Sequence, residues 1–361
     1  MLVVLDTNIF CADFKLVGGR FRTLLAAVDA GIHRLSVPEI VIDETVGKYA
    51  SAVDAGFGSA QKALNDLDRL YPKQPTLDER LRDAAKEDYR PWLLGTLRDH
   101  SCRVLPYPDV PHSEIAQRAI ARTMPFRDKK QDGYRDTLVW LTILDLVKTS
   151  ADRIAFVTSN KHDFAAGDQL HEHLSDDLVR VGLRANSVKL FTSLESFVEE
   201  FCRPNLPVVD SSIVATAGAK QLDPALRMKL EAHLRKRVFD RIERGGDDWE
   251  LDSALLVSFA EPTEFDSVEF SGLSAVDPVP VDDVRTLDES TLTIRVTAIC
   301  ECELLGFCGR GVWRPSRFPG WSLVDDHYDD DTVVVSSTQR LPLALQLVTD
   351  DSGKDLLSLE L

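Results

Sequence analysis

Carboxylates recur in four segments that also carry strand or helix signals. Leu2-Val3-Val4-Leu5 runs into Asp6, Thr7 and Asn8, and Val37-Pro38-Glu39-Ile40-Val41-Ile42 runs into Asp43 and Glu44. Further along, Gly133-Tyr134-Arg135 precedes Asp136 and Thr137, and Phe156-Val157-Thr158 is followed by Asn160, His162 and Asp163. Hard divalent cations prefer carboxylate oxygen. Two such ions about 3.5–4 Å apart can generate a hydroxide nucleophile, stabilise charge on phosphoryl oxygens and assist a leaving oxygen. Acids gathered from these segments would therefore suit Mg²⁺ or Mn²⁺ and the hydrolysis of phosphate esters.

The elements that must position these acids can be read from the pattern. Four apolar residues bounded by polar ones describe a strand buried on both faces of a parallel sheet, which puts Asp6 at its C-terminal end. In open α/β sheets that edge is where ligands bind. Helical spacing of Phe21, Leu24, Leu25 and Val28 predicts a helix after Gly19, stopped by Gly31. Leu35 and Val37 end a second strand, Pro38 takes the first helical position, and Glu44 falls within the first two turns. Residues 50–101 read as a polar helical insertion broken by Pro91, 102–105 as a strand and 115–124 as a short helix. Gln131–Thr149 reads as a helix buried along Leu138, Leu141, Leu144, Leu146 and Val147, with Asp132 and Asp136 on one face near its start. Residues 154–158 form a strand delivering Asn160 and Asp163, and 188–191 the last strand. Strands alternating with helices predict a three-layer, parallel-sheet α/β domain.

In order and chemistry the four segments resemble the PIN-domain family of metal-dependent nucleases, over roughly residues 1–203. The resemblance implies that Asp6, Glu44, Asp136 and Asp163 are the catalytic, metal-holding acids, with Thr7, Asn8, Asn160 and Asp132 orienting them. Many members carry an acid directly after Thr-x. Here Asn160 holds that place and Asp163 comes three residues later, an Asn-x-x-Asp-Phe ending that looks closer to a long PIN-like subgroup. Likeness to small PIN toxins implies a toxin-like or defence-related role and a protein regulator or antitoxin as partner. Such toxins are single short domains, whereas this chain adds a helical insertion and a C-terminal region.

Composition is compatible with this reading. At 361 residues the chain suggests two domains, and 44% hydrophobic content is ample for packed cores. No apolar stretch reaches the roughly 18 residues a membrane span needs, no signal peptide is expected, and six cysteines without a framework fit a cytoplasmic protein. A net charge of −17 excludes a non-specific nucleic-acid coat protein. Local basic patches could still hold a nucleic-acid backbone, single-stranded or structured: Arg127, Lys129 and Lys130 in one, Arg235, Arg237 and Arg241 in another. Each is alternatively a solvated face. Glu39, Asp43 and Asp132 are acidic neighbours able to substitute in the ligand set, and His162 reads as a solvent-facing loop residue.

Around Arg203–Pro207 the texture changes. The expected division is 1–203 as the nuclease-like domain, 204–248 as linker and basic helix, and 249–361 as a mainly antiparallel β domain. Residues 291–304 alternate, with Leu292, Ile294, Val296, Ala298, Cys300, Cys302 and Leu304 facing in and Thr293, Arg295, Thr297, Glu301 and Glu303 facing out. Residues 331–335, 343–348 and 356–361 are separate strand candidates. Cys300, Cys302 and Cys308 with His327 suggest zinc, but no second cysteine pair matches and the pattern buries the first two as apolar residues. The aspartates at 325–331 lack a Gly-centred calcium loop and read as a solvated turn.

The leading expectation is a divalent-metal-dependent endonuclease, RNA before DNA as substrate. Two alternatives stay open: a catalytically degenerate, partner-binding PIN module, and a haloacid-dehalogenase-type phosphatase, which wants a second acid where this chain has Asn8. Oligomeric state is not legible.

Overall fold

The computed structural model describes residues 1–68, 77–126, 133–150, 152–167, 169–216, 220–244, 264–276, 279–326, 328–329 and 331–360. The chain divides into two compact units, Met1–Asn205 and Leu206–Leu361.

The main sheet of the first unit consists of β1 (Leu2–Leu5), β2 (Arg34–Pro38), β3 (Arg103–Leu105), β4 (Ile154–Val157) and β5 (Val188–Phe191). They lie in the order β3-β2-β1-β4-β5, and every pairing is parallel. All four residues of β1 and of β4 are buried, as strands covered on both faces must be. Between the strands run α1 (Thr7–Ala12), α2 (Gly19–Asp29), α3 (Glu39–Asp68), α4 (Glu79–Asp99), α5 (His112–Ala121), α6 (Tyr134–Thr149), α7 (Lys161–Phe164) and α8 (Glu172–Arg180), with α9 (Leu194–Phe197) after β5. Strand order reverses at β1: the chain moves outward to β2 and β3, then returns to β4 on the other side. Such a reversal opens a crevice at the carboxyl ends of the two central strands.

Local expectations needed correction in several places. Pro38 closes β2 rather than starting the helix, and Glu39 is the first residue of α3. Pro91 does not break the insertion but lies inside α4. It sits on the exposed face, where water can reach the carbonyl its missing N–H leaves free, while Tyr89, Leu93 and Leu97 bury the other face. In α6 burial is not confined to one stripe. Val139, Trp140 and Ile143 are also buried, because the Trp140 Nε1–H donates to Asp177 of α8 at 2.9 Å while the rest of the helix packs in the core. Asp177 is itself buried, ion-paired with the equally buried Arg118 of α5 at 2.5 Å. That pair ties α5, α6 and α8 together.

Among its described residues the second unit contains α10 (Pro224–Arg244) and a six-stranded sheet of β6 (Ser267–Val276), β7 (Val281–Asp288), β8 (Thr291–Gly309), β9 (Ser322–Asp325), β10 (Thr332–Asp350) and β11 (Leu356–Glu360). All pairings are antiparallel, and β8 and β10 are in register over 19 residues from Thr291↔Asp350 to Gly309↔Thr332. Two expected strands, 331–335 and 343–348, are thus one continuous β10. Leu292, Ile294, Val296, Ala298, Cys300, Cys302 and Leu304 form the buried face as the alternation predicted. Thr293 is buried too, against expectation, since the Gln346 side chain covers it and donates to its hydroxyl at 3.0 Å. The helix expected in a linker is part of this core: Leu226, Leu230 and Leu234, one turn apart, are buried in the same cluster as the sheet.

Candidate active site

The crevice at the ends of β1 and β4 is built by short-range bonds whose donors the sequence places within three residues of each strand end. Leu5 pairs with Val157, and the Asp6 N–H donates to the Val157 carbonyl at 3.0 Å, so Asp6 emerges beside Thr158. The Asp6 carboxylate is only 4% exposed. It accepts from the Thr7 N–H at 2.8 Å, the Asn8 Nδ2–H at 2.8 Å and the Thr158 hydroxyl at 2.6 Å. Its pKa is raised by burial, opposed by the Thr158 and Thr7 bonds, with the charge of Glu44 adding to the rise. A carboxylate has about four acceptor sites, so three such bonds leave Asp6 capable of one more contact.

Asn8 and Thr158 stitch the two strand ends together. Asn8 Nδ2 also reaches Thr158 Oγ1 at 3.1 Å, and its Oδ1 accepts from the Ser159 N–H at 3.0 Å. Thr158 Oγ1 further accepts from the Asn160 N–H at 2.9 Å. Asn160 caps nothing with its side chain; instead Nδ2 donates to Asp163 Oδ2 at 2.8 Å, within α7. Glu44, in the second turn of α3, accepts from the Thr7 hydroxyl at 2.9 Å and is ion-paired with Arg135.

Asp136 lies in the first turn of α6. Among the described residues it accepts no hydrogen bond. Its pKa is pushed up to about 7 by burial and then by the charges of Asp6, Asp163 and Glu44, against a smaller pull from Arg135. One carboxylate is thus within electrostatic reach of the other three. Hard oxygen donors from four elements suit a divalent cation in kind. As they stand, no three His, Cys, Asp or Glu side chains among the described residues are close enough to ligate one ion.

Residues 3–164 match the PIN domain family model. This part of the chain is a PIN domain. No curated protein and no solved structure matches the chain. PIN domains have a nuclease-type fold, and the parallel five-stranded sheet flanked by helices is the architecture expected of one.

Other candidate residues separate from this crevice. Asp43 is engaged elsewhere, accepting from the Tyr107 hydroxyl at 2.6 Å and pairing with Arg90, which together hold its carboxyl below the usual range despite partial burial. His162 is exposed as expected, but it lies in α7 and not in a loop. Arg127, Lys129, Lys130 and Asp132 lie outside the described residues, as do His327 and the side chains of Arg237 and Arg241. Arg235 is paired along its own helix with Glu231 at 2.7 Å, and Lys229 holds Asp355 at 2.6 Å. Burial pushes the Cys300 thiol up to about 12 and the Cys302 thiol to about 11, and both side chains pack in the apolar cluster of the sheet. Two participants were missed in the sequence. Thr158 gave only the signal of a hydroxyl at a strand end, and Arg135 was masked by the acid beside it.

Proposed function

We propose that this protein is a divalent-metal-dependent endonuclease that hydrolyses phosphodiester bonds, with RNA favoured over DNA as substrate. The observation carrying this reading is Asp136: partly buried, without a hydrogen-bond donor among the described residues, and repelled by Asp6, Asp163 and Glu44 within a PIN domain. A carboxyl so placed is costly in water alone and is relieved by a cation. Asp6, Asp136, Asp163 and Glu44 would hold Mg²⁺ or Mn²⁺, which supplies Lewis acidity toward a phosphoryl oxygen and lowers the pKa of a water. Thr7, Asn8, Thr158 and Asn160 keep the Asp6, Glu44 and Asp163 oxygens oriented, so their role is to fix ligand direction. Arg135 offsets charge at Glu44 and could meet a substrate phosphate.

RNA, a cytoplasmic setting and a toxin-like or defence-related role with a protein regulator or antitoxin follow from resemblance to PIN toxins and belong to this proposal. Among the described residues no helix is long and apolar enough to cross a membrane. The haloacid-dehalogenase alternative finds no support at Asn8, whose amide donates to Asp6 where a second acid would be required. The test is cleavage of matched RNA and DNA strands and of a generic phosphate ester with Mn²⁺ or with chelator. Mn²⁺-dependent scission of RNA, lost in Asp136→Asn, is the expected result. Absence of any scission would favour the partner-binding PIN module.

A further inference from the structure

The helical insertion carries a preformed aromatic stack next to the carboxylate crevice. Tyr49 of α3 stacks on Tyr89 of α4 with ring centroids 3.7 Å apart and planes within 10°, and Tyr89 is followed by Trp92 at 5.5 Å and 29°. The column is fixed from behind. Phe14 meets both tyrosines edge-on, and the Tyr89 hydroxyl donates to the Phe14 carbonyl at 3.0 Å. Tyr89 is buried, but Trp92 at the end of the stack is 40% exposed. The stack opens into a cleft of about 460 Å³ rimmed by Lys15, Val17 and Asp88, a size within the roughly 300–1,000 Å³ of small-ligand clefts.

Position links this cleft to the acids. Lys48 and Tyr49 follow Glu44 on the same helix by four and five residues, a rise of about 6 and 7.5 Å. On the other side α1 begins at Thr7, beside Asp6, and the chain just beyond its end supplies Phe14 and Lys15. Cys11 of α1 lies within electrostatic reach of Asp6, Glu44 and Lys48, and Tyr89 within reach of Cys11, so the two features are neighbours. Among the described residues neither Lys15 nor Lys48 makes an ion pair, in contrast to Lys86, which pairs with Asp54.

Resting on the nuclease reading above, we propose that this cleft is a base-stacking subsite: an unpaired base of a single strand lies on the Tyr49–Tyr89–Trp92 column while Lys15 and Lys48 attract the flanking phosphates toward the crevice. Aromatic faces with nearby cations are how sequence-tolerant proteins hold single strands, and each stacked base contributes substantially. Asp88 at the rim repels phosphate from the cleft and can accept from an exocyclic amine, so a base enters and the backbone stays at the lysine edge. The helical insertion would then select unstacked strands over duplex.

The test uses full-length protein carrying Asp136→Asn, so that strands are bound and not cut. Affinity for a fluorescein-labelled 12-nucleotide RNA of mixed sequence is measured with and without Trp92→Ala, Trp92→Phe and Lys15→Ala, folding being checked by melting curves. Trp92→Ala should weaken binding about tenfold or more, Trp92→Phe should retain most of it, and Lys15→Ala should weaken it severalfold with a flatter salt dependence. An intact strand affinity in folded Trp92→Ala overturns the subsite. A Trp92→Ala effect confined to converting a dimer to a monomer on sedimentation overturns it too, by making the cleft a contact between copies. Failure of the nuclease reading is separately visible, as absence of Mn²⁺-dependent scission by the unmutated protein.

Discussion

Arg135 of α6 is ion-paired with Glu44 of α3, while Asp136, the next residue, is repelled by that same glutamate. Adjacent side chains thus act on one carboxylate with opposite sign, and a divalent cation bound among the acids would compete with Arg135 for Glu44. Arg135 is half exposed, so the pair contributes under about 1 kcal/mol to stability. Arg135→Gln should therefore melt near the parent while binding Mn²⁺ several-fold more tightly in a calorimetric titration. Unchanged or weaker Mn²⁺ binding would mean that the arginine does not oppose the metal.

Asp136 sets a pH dependence whose direction can be worked out. Its carboxyl titrates near 7 in the folded chain and near 3.9 when unfolded, so the native state binds more protons between about pH 4 and 7. Stability contributed by that proton is fully present below about pH 4 and is lost as pH rises through about 7. Asp6, raised for the same reason of burial, acts in the same direction. In chelator the melting temperature should fall from pH 5 to pH 8, Asp136→Asn should flatten the fall, and Mn²⁺ should restore stability at pH 8. The same variant should lose cleavage by at least 100-fold, with a melting temperature at pH 8 equal to or above the parent's. Full residual cleavage would remove Asp136 from the site.

How far the site was legible follows from the range of the interactions. Asp6, Glu44, Asp136 and Asp163 each stand just past a strand end or within the first two turns of a helix, positions that apolar runs and helical periodicity mark locally. Thr158 is different: its importance lies in accepting and donating across 150 residues of sequence to Asn8 and Asp6, and a threonine after a strand has no local signature of that. The same holds for Asp43, which looked interchangeable with Glu44 until Tyr107 and Arg90, 64 and 47 residues away, were brought to it. In the second unit the alternation of 291–304 was readable because one face is packed, whereas continuity of the 19-residue β10 was not, since Pro342 and the polar stretch from Ser336 to Arg340 resemble a turn until paired with β8.

Asp163 and Asn160 test which of two neighbouring oxygens bears charge at the site. Asn160 donates to Asp163 Oδ2 at 2.8 Å; under the proposed function the amide would orient and the carboxylate would ligate, because only the latter carries charge to a hard cation. Asp163→Asn should raise the Mn²⁺ concentration for half-maximal cleavage by tenfold or more, and Asn160→Ala by a smaller factor. The reverse ranking would exchange their roles.

Arg118 offers a purely structural test of the scaffold behind α6. Its guanidinium pairs with Asp177, donates to the Met124 carbonyl at 3.0 Å and is 7% exposed. Removing one partner of a buried pair costs about 3–5 kcal/mol because a buried charge is left behind. Arg180 also reaches Asp177, at 2.9 Å, and Trp140 donates to it, so Arg118→Leu should fall near the lower end of that range in denaturant unfolding. Since α6 carries Asp136, partial loss of Mn²⁺ binding should accompany it. Replacing both ion-pair partners, Arg118→Leu with Asp177→Leu, removes the stranded charge but also the acceptor for Trp140. The double variant should be more stable than Arg118→Leu alone and less stable than the parent. Should the double variant be the least stable of the three, Asp177 would be acting chiefly through Trp140, and the ion pair would be incidental to the packing of α6.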